Sequence, residues 1–339
     1  MKETIRVILF LIIGVLIFQL LTYIFVPKWI GEIDPATPRF EGFYSEEKNT
    51  IDVLAVGASD VGRGFSPITL WNEYGITSYN LGTSNQTMSL AYYIIKEAFQ
   101  YQDIKTVVLD MDAAFVNKNA PEGEYRKLFD NMKVGPTKWE ALQNSDLEVD
   151  NKLSYIFPII RFHSRWTDLE KEDFSIAKKY DKSTSYKGMA MSNVVKPYID
   201  TQGYMKDTGK IEEISEENEK YIAKIVKLCQ ENNVKLLWVE IPSASSWSSA
   251  RSKGTQKLAE KYNIEFIDMN YKLEGFEVDW ARDTADNGNH LNVEGAEKVS
   301  KYIGKILKEK YEAEDHRGDL KYSSWYEEAE RYEENKLKL

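Results

Sequence analysis

The hydrophobic positions of this chain alternate between short apolar runs and stretches with helical spacing. The short runs, bounded by turn or polar residues, predict buried strands at 53–56, 78–81, 106–110, 235–241 and 265–268. Apolar residues recur every three or four positions at 88–101, 215–232, 248–262 and 293–311, which predicts helices. Strands that alternate with helices form a parallel sheet covered on both faces, so the pattern predicts an α/β fold with a parallel five-stranded sheet.

Polar residues at the ends of these stretches predict where the helices begin and end. Ser215 precedes Glu216 and Glu217, as an N-cap precedes an acidic first turn, and Asn232 is placed to end the same helix. Asn292 stands directly before the last predicted helix of the sheet domain.

Residues 7–26 contain no charge, and about 20 apolar residues are what a helix needs to cross a bilayer. Lys2 and Arg6 precede this run while Glu32 and Asp34 follow it, which favours a single-pass anchor with a cytoplasmic N-terminus and an extracytoplasmic domain. A cleaved signal peptide is the alternative, but its apolar core is shorter, about 7–15 residues, and no small-residue cleavage site follows.

The composition of the sequence divides the chain into four parts. We expect residues 1–29 to form a cytoplasmic stub and anchor that ends near an interfacial Trp29, residues 30–50 a tether, and residues 51–315 the sheet domain. Between about 115 and 214 the periodicity is weak, which predicts an inserted lid or subdomain. Residues 316–339 are expected to form a C-terminal tail, with a solvated helix at 326–339 and with His316 and Arg317 at its docking corner.

Charge and cysteine content exclude several classes of function. The formal net charge is -10 and no basic stripe is present, so nucleic-acid binding is not expected. Cys229 is the only cysteine, so the chain has neither an intramolecular disulfide nor a cysteine-based zinc site. With 42% hydrophobic residues, the 339-residue chain is able to bury a sizeable core.

Ser59 follows the first predicted strand, in the sequence Gly57-Ala58-Ser59-Asp60. Ser66-Pro67 resembles an N-cap with proline at the first helical position, so we expect a helix to start there rather than at Ser59. The serine then lies in a loop at the carboxyl end of a parallel strand, where α/β sheets bind ligands. A turn or capping role is the alternative, since a G-x-S-x-G elbow is absent.

His290 lies in a polar loop between the fifth strand and the last helix of the sheet domain, again at the carboxyl end of the sheet. A serine and a histidine that meet at this edge can activate the hydroxyl, with Asp286 or Asp283 fixing the histidine tautomer. A capping or surface histidine is the competing interpretation.

Other polar residues offer weaker candidates. Asp110 and Asp112, at the end of the third strand, are interpreted as turn and capping residues, and no metal site is assigned. His163 and Arg165 would either bind substrate over the site or be structural elements of the insertion.

Three blocks resemble the motifs of the SGNH (GDSL-type) hydrolase superfamily: Gly57-Ala58-Ser59-Asp60, the run from Tyr79 to Gln86, and the run from Asp286 to Ala296. Within that superfamily the chain is most similar to membrane-anchored bacterial members that act beside membrane-bound O-acyltransferases. These include the D-alanyl transfer protein of teichoic-acid modification and the alginate O-acetylation proteins. The resemblance implies a three-layer, flavodoxin-like SGNH fold without a cofactor.

The resemblance also implies roles for individual residues. Ser59 would be the nucleophile, His290 the general base and Asp286 the orienting acid, although Asn287 stands where the superfamily has its aspartate. The backbone N–H groups of Ser59 and Gly82 would contribute to the oxyanion hole. The asparagine that usually completes the hole has no counterpart; Asn85 or Gln86 would supply a side-chain donor or simply structure the loop, and Gln86 is also a candidate substrate contact.

These roles predict an extracytoplasmic O-acyltransferase that passes a small, acetyl-like group to hydroxyls of a cell-wall or secreted glycan, with a membrane-bound O-acyltransferase as partner. With water as acceptor, the same site would be a carbohydrate esterase or deacetylase. A non-catalytic glycan-binding or scaffolding subunit of an O-acyltransferase complex is the alternative from another functional class.

Overall fold

One parallel sheet forms the centre of the chain. The computed structural model describes residues 2–27, 36–116, 122–175, 186–200 and 203–338. The strands are β1 (Val53–Val56), β2 (Ser78–Asn80), β3 (Thr106–Asp110), β4 (Lys235–Glu240) and β5 (Phe266–Asp268). Their spatial order, β2-β1-β3-β4-β5, is that of flavodoxin-like folds. The predicted α/β class and five-stranded parallel sheet are confirmed, with each strand within one residue of its expected bounds.

Helices precede, separate and follow these strands along the chain. They are α1 (Lys2–Phe25), α2 (Ala36–Ser45), α3 (Ser59–Gly64), α4 (Pro67–Tyr74), α5 (Met88–Ala98), α6 (Glu122–Phe129), α7 (Pro136–Gln143), α8 (Val149–Ile156), α9 (Ile159–Phe162), α10 (Glu216–Glu231), α11 (Ser249–Tyr262), α12 (Val293–Lys310) and α13 (Ser323–Lys338). Short 3-10 turns occur at Met111–Phe115, His163–Thr167, Lys171–Phe174, Tyr186–Gly188 and Leu320–Tyr322.

Successive residues of each strand point to opposite faces of the sheet, and the two faces bury different helices. Leu54 of β1 lies in a core cluster with Ile94 of α5 and with residues of α10. The next residue, Ala55, lies in a second cluster with Ile303 of α12 and with residues of α4. The sheet is therefore the middle of three layers.

Three helix N-termini are capped as the sequence predicts. Ser215 accepts a hydrogen bond from the N–H of Asn218 at 3.3 Å, and Asn292 accepts one from Gly295 at 3.2 Å. Ser66 caps α4, with Pro67 as its first residue. The helix expected at Ser66 is confirmed, but the expectation that none begins at Ser59 is wrong, because the short helix α3 starts there.

The N-terminal helix α1 is long and apolar enough to cross a membrane. The candidate span has 23 residues, from Glu3 to Phe25, and a mean hydropathy of 2.8. Trp29, Glu32, Asp34 and the first part of the expected tether lie outside the described residues. The rest of that tether is not a linker, because residues 36–45 form α2 and its Phe40 and Phe43 are buried in the core.

The weakly periodic stretch after β3 folds into α6–α9 and several turns. Part of it contacts α1: the ring centroids of Phe18 and Phe157 lie 5.9 Å apart, in an edge-to-face arrangement. The C-terminal helix α13 is not simply solvated, since its Trp325 and Tyr332 are buried. His316 forms the expected corner: its Nε2 atom lies 2.6 Å from Asp52.

Candidate active site

Ser59 lies at the carboxyl edge of the sheet. β1 ends at Val56, the chain turns through Gly57 and Ala58, and Ser59 is the first residue of α3. Gly57 has a φ of +153°, and a Cβ atom on it would lie 2.5 Å from the Cβ atom of Asp110. Only glycine therefore allows the chain after β1 to turn this close to β3. The turn leaves Ser59 half-buried at the edge where α/β sheets bind ligands.

His290 reaches the serine from the loop between β5 and α12. Its Nε2 atom lies 2.8 Å from Ser59 Oγ, and its Nδ1 atom lies 2.6 Å from Asp286 Oδ2. The backbone N–H of His290 donates to the other carboxylate oxygen of Asp286, also at 2.6 Å. With the ring proton on Nδ1, facing the carboxylate, Nε2 is free to accept the hydroxyl proton of Ser59.

The electrostatics of this loop favour an ionised Asp286. Partial burial alone would raise the pKa of Asp286, but the hydrogen bonds from the ring and the backbone of His290 outweigh it and lower the pKa below its ordinary value. Arg63 adds a weaker attraction, with its guanidinium nitrogen 4.0 Å from the carboxylate. A negative charge therefore faces the imidazole ring and would stabilise its protonated form.

Of the two aspartates considered as orienting acids, the structure brings only Asp286 to the ring. Asp283 is fully buried and accepts hydrogen bonds from the backbone N–H of Asp279 and from Lys298, each at 2.7 Å. The longer spacing from Asp286 to His290 is accommodated because Asn287 and Gly288 both have positive φ, 61° and 89°, which turns the loop back on itself.

An extended part of the stretch after β3, residues 189–198, runs along both site loops. The N–H of Ala190 donates to Gly62 of α3 at 2.9 Å, and the N–H of Asn287 donates to Lys196 at 3.1 Å. Tyr198 packs so closely on Gly288 that a Cβ atom there would lie 2.7 Å from its ring. This segment therefore holds the loops that carry Ser59 and His290 in place.

The expected oxyanion-hole donors have other contacts. The N–H of Gly82 donates to Asn80 Oδ1 at 3.0 Å. The side-chain amide of Asn85 points to Glu124 of α6, with 3.4 Å between nitrogen and oxygen. A role for these groups, or for the N–H of Ser59, in binding an oxyanion stays a prediction.

The three candidate substrate contacts have hydrogen-bond partners within the chain. Gln86 is fully buried and its amide donates to Leu81 O at 3.0 Å, so it structures the loop after β2. His163 bonds to Ile160 O at 2.8 Å, and Arg165 donates to Phe25 O at the end of α1 at 2.6 Å. These contacts give each of the three residues a structural role, and substrate binding by them stays a prediction.

A group of buried carboxylates lies next to the serine and was missed as a group by the sequence analysis. One oxygen each of Asp60, Asp112 and Glu240 lie within 4.8 Å of one another. Asp110 lies beside them and accepts a hydrogen bond from the N–H of Ile241 at 3.3 Å, so it does not cap the following turn as expected. The signal in the sequence is that each acid stands at or just after the carboxyl end of a predicted strand.

Burial dominates the electrostatics of this group. It raises the pKa of Asp60, Asp110 and Glu240 well above the ordinary range, and neighbouring carboxylates raise these pKa values further. Burial also raises the pKa of Asp112 to about 6, against the opposing influence of Arg251. The protein surroundings therefore disfavour the ionised form of these side chains.

Neither a protein-family model nor a curated protein matches this chain significantly. Solved structures similar to it include a protein assigned as an acylhydrolase from Bacteroides fragilis, at 11% identity, with 79% of this chain and 93% of that chain covered and a TM-score of 0.37. Another is a GDSL-like lipase from Bacteroides thetaiotaomicron, at 10% identity, with 79% of this chain and 94% of that chain covered and the same TM-score of 0.37. Similarity at this level carries no information about the activity of this chain.

Proposed function

We propose that this chain is a serine-dependent enzyme of the SGNH type that transfers an acyl group through an ester on Ser59. The observation that carries the proposal is the pair of contacts made by His290, 2.8 Å to Ser59 Oγ and 2.6 Å to Asp286 Oδ2. A serine, a histidine and a carboxylate in this order are the parts that acyl transfer requires.

Each half of the reaction uses the same proton path. Ser59 Oγ attacks the acyl carbonyl carbon while its proton passes to His290 Nε2, and the imidazolium is stabilised by Asp286. The leaving group takes that proton as its bond to the acyl carbon breaks, which leaves the acyl ester on Ser59. An acceptor hydroxyl then gives its proton to His290 Nε2 and attacks the ester, so that the acyl group moves to the acceptor and Ser59 is regenerated.

The proposed acceptor is a hydroxyl of a cell-wall or secreted glycan, and the proposed acyl group is small and acetyl-like. Support comes from α1, which is long and apolar enough to anchor the domain at a membrane. An anchored domain would meet a membrane-bound O-acyltransferase at a high effective concentration, and the charge pattern around α1 favours an extracytoplasmic domain. The resemblance of the sequence blocks to membrane-anchored SGNH proteins supports the same assignment.

A specific observation favours a second candidate, a non-catalytic scaffolding or glycan-binding subunit of an acyltransferase complex. The N–H of Gly82 is engaged by Asn80 and the amide of Asn85 points to Glu124, so two expected oxyanion donors have other partners. In that case Ser59 and His290 would be dispensable while the chain itself is required.

A fluorophosphonate probe separates the two candidates, because it reacts with an activated serine and releases fluoride. We would label the full chain in detergent and compare the wild type with Ser59→Ala and His290→Ala. We expect labelling of the wild type alone, whereas a folded wild type that does not react would favour the scaffold. If the wild type is labelled, it is then incubated with p-nitrophenyl acetate, with and without a glycan acceptor. This comparison distinguishes acyl transfer to the glycan from hydrolysis.

A further inference from the structure

The carboxylates of Asp60, Asp112 and Glu240 converge from three elements at the carboxyl edge of the sheet. Asp60 is the second residue of α3, Asp112 belongs to the turn after β3, and Glu240 ends β4. One oxygen of each lies within 4.8 Å of the others. All three side chains are buried, with exposed fractions of 4%, 8% and 0%.

The surroundings in the described part of the chain satisfy this group only in part. Ser246 donates to Asp60 at 3.1 Å, and Arg251 lies 3.4 Å from Asp112. Glu240 differs from both, because neither of its carboxylate oxygens has a hydrogen-bond partner among the described residues. A fully buried carboxylate without a partner is costly, so either a bound cation or a proton must neutralise it.

We propose that Asp60, Asp112 and Glu240 bind a divalent cation, and that the ion is Ca²⁺. The ligand set is made only of carboxylate oxygens, which suits Ca²⁺, Mg²⁺ or Mn²⁺ and not metals that prefer nitrogen or sulphur. Ca²⁺ binds oxygen at about 2.3–2.6 Å, so one ion reaches ligand atoms spread over this group. Mg²⁺ usually keeps several of its water molecules, so it is less suited to a group of buried carboxylates.

The charges support this assignment. Together with Asp110 the group holds four carboxyl groups, and Arg251, the cation paired with Asp112, is shared with Glu212. A divalent cation would offset two of the negative charges that these carboxyl groups carry when ionised. Asp268, which faces the same region, is satisfied separately by Trp247 Nε1 at 2.8 Å and by Asn270.

Such an ion would connect three parts of the fold next to the serine. Asp60 directly follows Ser59, so an ion held by Asp60, Asp112 and Glu240 would fix the start of α3 relative to β3 and β4. The three acids are therefore positioning residues, since they act on Ser59 through the backbone. The inference does not depend on the reaction proposed above.

The first test is metal binding by the full chain in detergent. After treatment with EDTA, we expect equilibrium dialysis with Ca²⁺ to give one bound ion per chain and Ca²⁺ to raise the Tm by several degrees, more than Mg²⁺ does. Glu240→Gln should lose both effects. The matched control is Glu97→Gln, another buried acid, bonded instead to Tyr44 at 2.9 Å, which should retain both effects.

The opposite result is equally clear. If the wild type binds no ion and its Tm is unchanged by Ca²⁺, Mg²⁺ and Mn²⁺, the proposal is wrong and protons stabilise the carboxylates. This measurement needs no variant, so it decides even if Glu240→Gln does not fold. Fluorophosphonate labelling is read separately: ion binding without labelling would overturn the proposed reaction and leave the cation site intact.

Discussion

His290 Nε2 lies 2.8 Å from Ser59 Oγ, although 231 positions separate the two residues along the chain. The parallel sheet explains the contact, because Ser59 follows β1, His290 follows β5, and all parallel strands bring their carboxyl ends to one edge. The two loops are further held by the extended segment 189–198. The reactivity of Ser59 should therefore report on the geometry of the surrounding fold.

We predict that Asp286→Asn slows fluorophosphonate labelling of Ser59 by up to about 10⁴-fold, as loss of the acid does in other triads. The physical reason is that an amide no longer holds the Nδ1 proton of His290, so that Nε2 is a poorer proton acceptor. The measurement is the second-order rate of labelling at neutral pH.

Asp283→Asn is the matched control, because Asp283 contacts Lys298 and the backbone N–H of Asp279 and not the ring of His290. It should lower stability while the folded protein is labelled at nearly the wild-type rate. Equal losses of labelling rate in the two variants would contradict the assignment of Asp286.

A second prediction concerns the contact between Gly82 and α3. A Cβ atom on Gly82 would lie 2.3 Å from the Val61 side chain and 2.9 Å from the Gly62 nitrogen, so Gly82→Ala must displace the helix that begins at Ser59. We expect a loss of about 1–3 kcal/mol in the free energy of unfolding and slower labelling. Gly123→Ala is the control, since nothing lies within 4 Å of its Cβ position; similar losses in both variants would refute the explanation.

Local sequence pattern was sufficient to predict much of this fold. Ser215 and Asn292 cap their helices because a side-chain oxygen needs only the N–H groups three residues later in the chain. The strand bounds followed from the apolar runs, and the placement of Ser59 and His290 at one edge followed from parallel topology. These features depend on neighbours in sequence or on the order of elements.

Side-chain convergence was not predictable in the same way. Glu240 meets Asp60 and Asp112 only because the register pairs Glu240 with Asp268 and Asp110 with Val239 across three strands. A pattern of polar residues does not determine that register. For the same reason, the sequence did not reveal that Arg165 binds the end of α1.

The third prediction concerns how α13 docks on the domain. Trp325 is 1% exposed, its ring centroid lies 5.5 Å from that of Trp71, and Lys187 Nζ lies 4.4 Å above its ring. Trp325→Ala should lower the free energy of unfolding by about 3–5 kcal/mol, because it removes a large buried side chain. Denaturant titration measures the loss, and Leu337→Ala on the same helix, 89% exposed, should be nearly neutral. A neutral Trp325→Ala would show that α13 is not packed on the domain.

The last prediction is a pH dependence that arises from Lys138 of α7. This side chain is 3% exposed, and burial lowers its pKa from the ordinary 10.5 to about 8. Between these two values the unfolded chain binds the proton and the folded chain does not, so the contribution of Lys138 to the free energy of unfolding rises with pH, by up to about 3 kcal/mol. We therefore expect the difference in stability between wild type and Lys138→Met, from denaturant titrations at pH 7 and pH 10, to shift in favour of the wild type at the higher pH. Lys227→Met is the control, because the side chain of Lys227 is 74% exposed, and it should show no such shift. If the stability difference between wild type and Lys138→Met stays constant with pH, the environment of Lys138 does not disfavour its charge.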